Sequence, residues 1–461
     1  MLLRITKILA ALLLALVSGL AAWLTAAPPA LIRVATSYSA KIVCSNVFLA
    51  GRDAQAVLQD DVQAPGHPIL KFVKVAVDES EGTARAGLFG LFGGGLARHA
   101  AGAGCASVPD GDLAAAAFAG KTSDRAGQAA ALWPEGETVA PSQDPAIAAI
   151  LDDPALTGPG MRAVVVVKNG RIIGERYGAG FSAETRLLGW SMTKTVNAAL
   201  LGTVAAKGAI APENTGLLAE WAGDGRKDIA LADLMSMSSG LAFNEDYGTV
   251  TDVTRMLYLE PDMAAFAASQ PSEAAPGKKF NYSSGTAVIL SRLWQKALGD
   301  KALGWPQAAL FGPLGMTSAV LEPDARGTYT GSSYLYATAH DWVRFGQFVL
   351  QNGAWNGQAI VSPQWAAMMA EPSAVSDIGY GPQYTKGQMW LNGPSAGSPE
   401  GEDPDKGFDL PADTRWALGH DGQSMAIIPS KGLVVLRMGL TPSRLGYKSQ
   451  KLVQALLKTV E

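Results

Sequence analysis

The hexapeptide Gly189-Trp190-Ser191-Met192-Thr193-Lys194 places a lysine three residues after a serine. On a helix, residues three apart share a face, so the ammonium would lie beside the hydroxyl. A serine hydroxyl attacks poorly until a base takes its proton. A lysine serves as that base only where burial or a nearby cation depresses its pKa. Ser-x-x-Lys arises by chance about once in a few hundred residues, and its plainest alternative is a helix start capped by Ser191. Tyr282 lies 91 residues on, inside Pro276-Gly-Lys-Lys-Phe-Asn-Tyr-Ser-Ser-Gly285, and offers a third proton-handling group. The 4 histidines and 2 cysteines form no HExxH and no CxxC pattern, so the expected chemistry needs no metal and no cofactor.

Elements that would hold these residues can be read on either side. Ala163–Lys168, then Asn169-Gly170, then Arg171–Tyr177 has the pattern of a β-hairpin with a type I′ turn. Ser191–Lys207 reads as a helix apolar along most of its length, as a helix buried on several sides would be. Residues 208–334 show helical patches broken by Gly and Pro, without a strand series. A second helix is expected over Thr286–Leu298, and Thr338-Ala-His-Asp341 reads as the N-cap of a third. Two antiparallel strands, Arg415–Ile428 and Gly432–Leu440, and a last helix over Leu445–Val460 close the chain. Strands at both ends with helices between predict an α/β layer interrupted by a helical subdomain. Upstream, Ile69–Val77 reads as a strand, and the Gly/Ala-rich stretch Gly87–Gly104, with Gly93, Gly94 and Gly95 in succession, as a flexible surface loop. It lacks the Gly-Lys-Ser/Thr ending of a phosphate loop.

Taken in order, these motifs resemble the serine β-lactamase-related family, that is, the class C β-lactamase and penicillin-binding fold. The family places a Tyr-x-Asn motif after a Pro-Gly and an aromatic residue, as around Tyr282. Leu310-Phe-Gly-Pro-Leu-Gly-Met316 and Gly331–Thr338 with Asp341 resemble its next segments. Gly419-His420-Asp421-Gly422-Gln423 stands where relatives carry Lys-Thr-Gly or His-x-Gly. The resemblance covers residues 150–461. It implies a β-lactamase/penicillin-binding transpeptidase-like fold, an antiparallel sheet flanked by helices with an inserted helical subdomain. It also implies roles: Ser191 as acylated nucleophile, Tyr282 shuttling the proton to the leaving group, Lys194 assisting, and the N–H groups of Ser191 and Gln423 as oxyanion hole. Gly422 would let the strand edge approach the substrate, with His420 along the same edge.

Two departures narrow the expectation. Ser284 stands where many relatives have asparagine, so a shorter hydroxyl replaces an amide that orients substrate. His420 and Asp421 replace the lysine and threonine that hold an antibiotic's carboxylate, and a carboxylate at 421 would repel it. The pattern is closer to 6-aminohexanoate-dimer hydrolases and family esterases, and the expected substrate is a small amide or ester. The alternatives are a D-amino-acid peptidase or carboxypeptidase, a weak β-lactamase, and a catalytically silent ligand-binding sensor. Tyr380 and Trp390 border the cleft in relatives but read equally well as core.

The domain reading is an N-terminal signal or anchor over 1–27, a segment of unassigned structure over 28–150, and the β-lactamase-related domain over 151–461. Arg4 and Lys7 precede an apolar run, Ile8–Ala27, ending at Pro28-Pro29, which predicts an export signal or a membrane anchor. The body is therefore expected outside the cytoplasm, periplasmic and tethered or secreted, where Cys44 and Cys105 would pair. A net charge of -4 supplies no basic face for nucleic acid.

Overall fold

The computed structural model describes residues 2–118, 120 and 130–460. It divides into two compact units. One takes its described residues from Met1–His99, Cys105–Ala117 and Asp246–Pro261, the other from Ala100–Gly104, Phe118–Glu245 and Asp262–Glu461.

The first unit opens with α1 (Leu2–Ala26), whose Arg4–Ala26 stretch is long and apolar enough to cross a bilayer and has none of its surface buried. Pro28 and Pro29 interrupt the helical path, and α2 (Ala30–Ala50) begins directly after them, ending at Gly51 in the left-handed region. An antiparallel sheet follows in simple meander order: β1 (Val73–Asp78), β2 (Thr83–Leu88), β3 (Phe92–Ala100) and β4 (Gly104–Ser107). The expected strand at 69 starts later because Pro68–Phe72 forms a 3-10 turn. The glycine run is not a loop. Gly93 and Gly95 lie in β3 against α2, where a Cβ on Gly95 would fall 2.3 Å from the Thr36 carbonyl carbon. These glycines give close helix–sheet contact, a need that composition does not distinguish from flexibility. Cys44 on α2 and Cys105 on β4 are joined by a disulfide. The helix Asp252–Leu259, which falls inside the 208–334 stretch, belongs to this unit too, with Tyr258 edge-on to Tyr38 of α2.

The second unit is built on a five-stranded antiparallel sheet. Its chain-order elements are α3 (Pro145–Asp152), β5 (Met161–Lys168), β6 (Arg171–Tyr177), β7 (Leu187–Leu188), α4 (Thr193–Ala205), α5 (Ser284–Leu298), β8 (Val320–Leu321), β9 (Leu335–Ala337), α6 (Ala339–Leu350), β10 (Arg415–Gly419), β11 (Gln423–Ile428), β12 (Leu433–Gly439) and α7 (Gln450–Leu457). The main sheet runs β10-β11-β12-β5-β6, and a small one runs β7-β9-β8. Asn169 and Gly170 both take positive φ in the β5–β6 turn. The single strand expected over Arg415–Ile428 is two, because Asp421 and Gly422 turn the chain back with φ of +56° and +83°. One sheet face packs on Ile147 and Leu151 of α3 and on Leu452, Val453 and Leu456 of α7. The other receives α6, where Gly346 admits Val434 and Met425 at distances no side chain would allow. α4 is buried from Thr193 to Val204, which accounts for its apolarity on every side.

Candidate active site

Ser191 sits in a 3-10 turn, Trp190–Met192, that runs directly into α4. Trp190 holds a φ of +48°, a left-handed conformation that costs a non-glycine residue free energy, and strain of this kind concentrates at functional sites. Gly189 before it is required sterically, since a Cβ there would lie 2.2 Å from the Trp342 ring. Lys194, one turn along, is fully buried. Its Nζ donates to Ser191 Oγ, to Ser284 Oγ and to the Ser332 carbonyl, each at 3.1 Å. Three donors meet three acceptors. On deprotonation the Ser284 and Ser332 oxygens still take two protons, so the lone pair is directed at Ser191. Burial strips the ammonium of water and lowers the Lys194 pKa to about 8, against the pull of the Glu245 carboxylate.

The Tyr282 ring lies over Lys194, with Nζ 4.6 Å from its centroid, and its phenol hydrogen-bonds Ser191. Burial first, then the charge of Glu245, push the phenol well above its ordinary pKa, outweighing the Ser191 hydrogen bond. The phenol therefore stays protonated at neutral pH, and Lys194 is the group of the pair whose pKa is moved towards neutrality. Trp390 packs on the Tyr282 ring at 5.1 Å and Tyr384 edge-on at 5.8 Å. The buried Tyr384 hydroxyl has no hydrogen-bond partner among the described residues.

Ser284 differs from its expected role. It opens α5 and is fully buried, so it orients no substrate directly. Its hydroxyl accepts from Lys194 and donates to Glu245, whose other oxygen takes the Ser284 N–H at 2.8 Å. Glu245, absent from the sequence reading, thus reaches the lysine through one hydroxyl. No motif flags it, because the fold brings it from 39 residues away.

The β10–β11 edge faces the Ser191 turn. A Cβ on Gly419 would lie 2.2 Å from the Gly189 carbonyl, so Gly419 is the residue that lets strand and turn meet. Gly422 instead supplies the turn, and a side chain on it would run into Arg437 and Thr441. The Gln423 side chain turns inward, donating to the carbonyls of His420 and Gly439 and accepting from the Gly439 N–H. The Gln423 backbone opens β11, paired with Gly419 across the turn. His420 sets its ring edge-on to Trp190, centroids 5.7 Å apart, with Nε2 3.6 Å from Asp421 Oδ1. A cavity of about 220 Å³ opens beside this turn, walled by Leu418, His420, Asp421, Thr441 and Tyr447.

The Beta-lactamase family model matches residues 154–443. The chain belongs to the beta-lactamase family. It is 23% identical over 301 residues to 6-aminohexanoate-dimer hydrolase of Paenarthrobacter ureafaciens, spanning 61% of this chain and 72% of that protein. Among solved structures, a family VIII carboxylesterase superposes with a TM-score of 0.54 at 17% identity, covering 70% of this chain and 98% of that one. A penicillin-binding protein homolog from Caulobacter crescentus gives 0.54 at 14% identity over 70% and 99%. At these identities the structural likeness shows the fold: a β-lactamase and penicillin-binding arrangement of an antiparallel sheet flanked by helices.

Proposed function

We infer that this beta-lactamase-family hydrolase is a serine amidase or esterase that works through an acyl-enzyme on Ser191. The observation that carries the reading is the 3.1 Å contact from Ser191 Oγ to a buried lysine whose pKa is brought down to about 8. Neutral Lys194 takes the hydroxyl proton as Ser191 Oγ bonds to the substrate carbonyl carbon. The N–H groups of Ser191 and Gln423 receive the oxyanion. Collapse breaks the bond to the leaving amine or alcohol, which takes its proton from the Tyr282 phenol, and Lys194, lying over the Tyr282 ring, returns its proton to the phenolate. Water then reverses the sequence and frees the acid. The His420–Asp421 wall favours neutral or amine-bearing substrates, small amides or esters of the kind named for the hydrolase and esterase relatives, over carboxylate-bearing β-lactams.

We place the body outside the cytoplasm, with α1 as signal or anchor and the Cys44–Cys105 disulfide suited to an oxidising compartment. The deciding experiment is intact mass after incubation with a fluorophosphonate and, separately, with p-nitrophenyl acetate, alongside Ser191→Ala. One adduct that vanishes in the variant, together with ester turnover, supports the reading. No adduct and no turnover from folded protein would leave a ligand-binding role.

A further inference from the structure

The first unit carries an exposed apolar tip that the chemistry at Ser191 does not use. Phe72, Phe89 and Leu91 are 53%, 52% and 76% exposed, and the Phe72 and Phe89 rings touch, centroids 5.5 Å apart. They come from two neighbouring turns, tied by a hydrogen bond from the Phe89 N–H to the Phe72 carbonyl at 2.7 Å. Phe89 sits at a φ of +54°, where glycine or asparagine would be easier to accommodate. An aromatic ring held outward on a strained backbone position is an arrangement the fold itself does not require.

The tip has a definite place. Gly93, two residues after Leu91, packs against the first two turns of α2, where its missing Cβ would be 2.9 Å from both Ile32 Cγ2 and Thr36 Oγ1. Only Ala27, Pro28 and Pro29 separate α2 from the end of α1. The apolar tip therefore lies beside the point where the bilayer-length helix ends. The β1–β2 hairpin is also polarised. At the tip end stand exposed Lys71 and Lys74, while Arg85, opposite Ala76, lies towards the other end and its charge acts on Asp78. At the far end the turn carries Asp78, Glu79 and Glu81, all exposed. Lys74 and Asp78 are four residues apart on the strand, roughly 13 Å, which is beyond the screening length of about 8 Å at physiological salt. On the open face, Lys74, Arg85, Gly87, Gly90 and Leu91 border a shallow depression of about 310 Å³.

We propose that this tip is a membrane-docking surface: Phe72, Phe89 and Leu91 enter the lipid interface beside the exit of α1, and Lys71 and Lys74 meet anionic headgroups. The acidic turn is held away from the same surface. Docking would give the unit a fixed orientation at the bilayer, where α1 alone would act as a flexible tether. The proposal rests on α1 remaining as an anchor and is independent of the chemistry at Ser191.

The test uses the full chain in vesicles of phosphatidylethanolamine and phosphatidylglycerol. An environment-sensitive fluorophore is placed on Leu91→Cys or, as control, on Glu79→Cys, both exposed positions labelled without reductant so that the native disulfide stays intact. Lipids carrying a nitroxide near the headgroup should quench the Leu91 label at least twofold and leave the Glu79 label unquenched. Equal emission from the two labels, on protein that floats with the vesicles, overturns docking while keeping the anchor. Protein that does not float overturns both. Wild-type ester turnover by both labelled variants shows that they are folded, and separates this result from any failure of the acyl-enzyme reading.

Discussion

Replacing Glu245 by glutamine tests the electrostatics of the site through the pH dependence of acylation. Lys194 must lose a proton to act as base, so kcat/KM for p-nitrophenyl acetate should rise with pH and level off above about pH 8. About a tenth of the plateau is expected at pH 7. Glu245 raises this pKa, and it stands two hydrogen bonds from the ammonium, through Ser284. Over about 5 Å at an effective dielectric near 20, the Coulomb attraction is about 3 kcal/mol, and the partial exposure of Glu245 roughly halves it. Glu245→Gln removes that attraction, and the limb should move down by about one pH unit. The variant should then outpace the wild type several-fold at pH 6.5 and match it at pH 9. Glutamine keeps an acceptor for the Ser284 N–H, so the local geometry is retained. The readout is kcat/KM from pH 5.5 to 9.5, corrected for spontaneous ester hydrolysis. A limb that stays at pH 8 or moves upward would refute the base assignment to Lys194 or its coupling to Glu245.

Gly419→Ala should abolish most turnover without unfolding the protein, because the new methyl would press on the Gly189 carbonyl at 2.2 Å and part the strand edge from the nucleophile turn; unchanged kcat/KM with an unchanged melting temperature would disprove this. Asp421→Asn should raise KM for amine-bearing amides about tenfold and speed hydrolysis of a carboxylate-bearing cephalosporin, as expected for about 1–2 kcal/mol of Coulomb energy in the cleft. If KM stays put for the amine-bearing amides, Asp421 has no part in selecting substrate. Lys194→Met should be inactive but more stable at pH 7 by about 1–2 kcal/mol, measured by urea unfolding. The folded-state pKa of Lys194 is depressed from 10.5 to about 8, so its charge costs stability below pH 8, about 3 kcal/mol before lost hydrogen bonds are counted. That cost fades as pH rises towards 10.5, and the advantage of the variant should shrink with it; a variant less stable than wild type at pH 7 would contradict the assignment.

How much of this was legible in the sequence depended on whether a residue acts through its neighbours in the chain. Asn169-Gly170 specified its turn locally, and both residues adopt the positive φ the turn needs. Ser191 and Lys194 share one helical turn, so their contact follows from spacing alone. Glu245 had no such signature: a carboxylate in a loop is ordinary until α5 presents Ser284 to it. The glycines were legible as glycines but not as to purpose. Gly93 and Gly95 serve helix contact rather than mobility, and Gly419, not singled out in the sequence, is the glycine that lets the strand meet the Gly189 carbonyl. The Gln423 side chain carried no signal of its own, and it fastens the Gly439 backbone across the sheet. Each of these depends on a partner distant in sequence, which periodicity and spacing do not encode.

The charges around the cleft bear on substrate more than any single residue does. Lys194 commits all three donors to Ser191, Ser284 and Ser332. Arg437, the other cation behind the β10–β11 turn, directs its guanidinium to the carbonyls of Thr157, Pro159 and Gly422 and to the Thr441 hydroxyl. Its pKa is lowered to about 10 by burial, yet it stays charged at any working pH. Both cations thus stabilise the protein's own oxygens and neither is turned towards a bound anion. The cavity beside the β10–β11 turn is walled by His420, Asp421 and Tyr447, and the Asp421 carboxylate lies 3.6 Å from the imidazole. A substrate carboxylate placed there would lose its water and meet a like charge, whereas a neutral acyl group or an ammonium would not. Under the proposed acyl-enzyme chemistry these charges favour uncharged or cationic amides and esters over carboxylate-bearing ones.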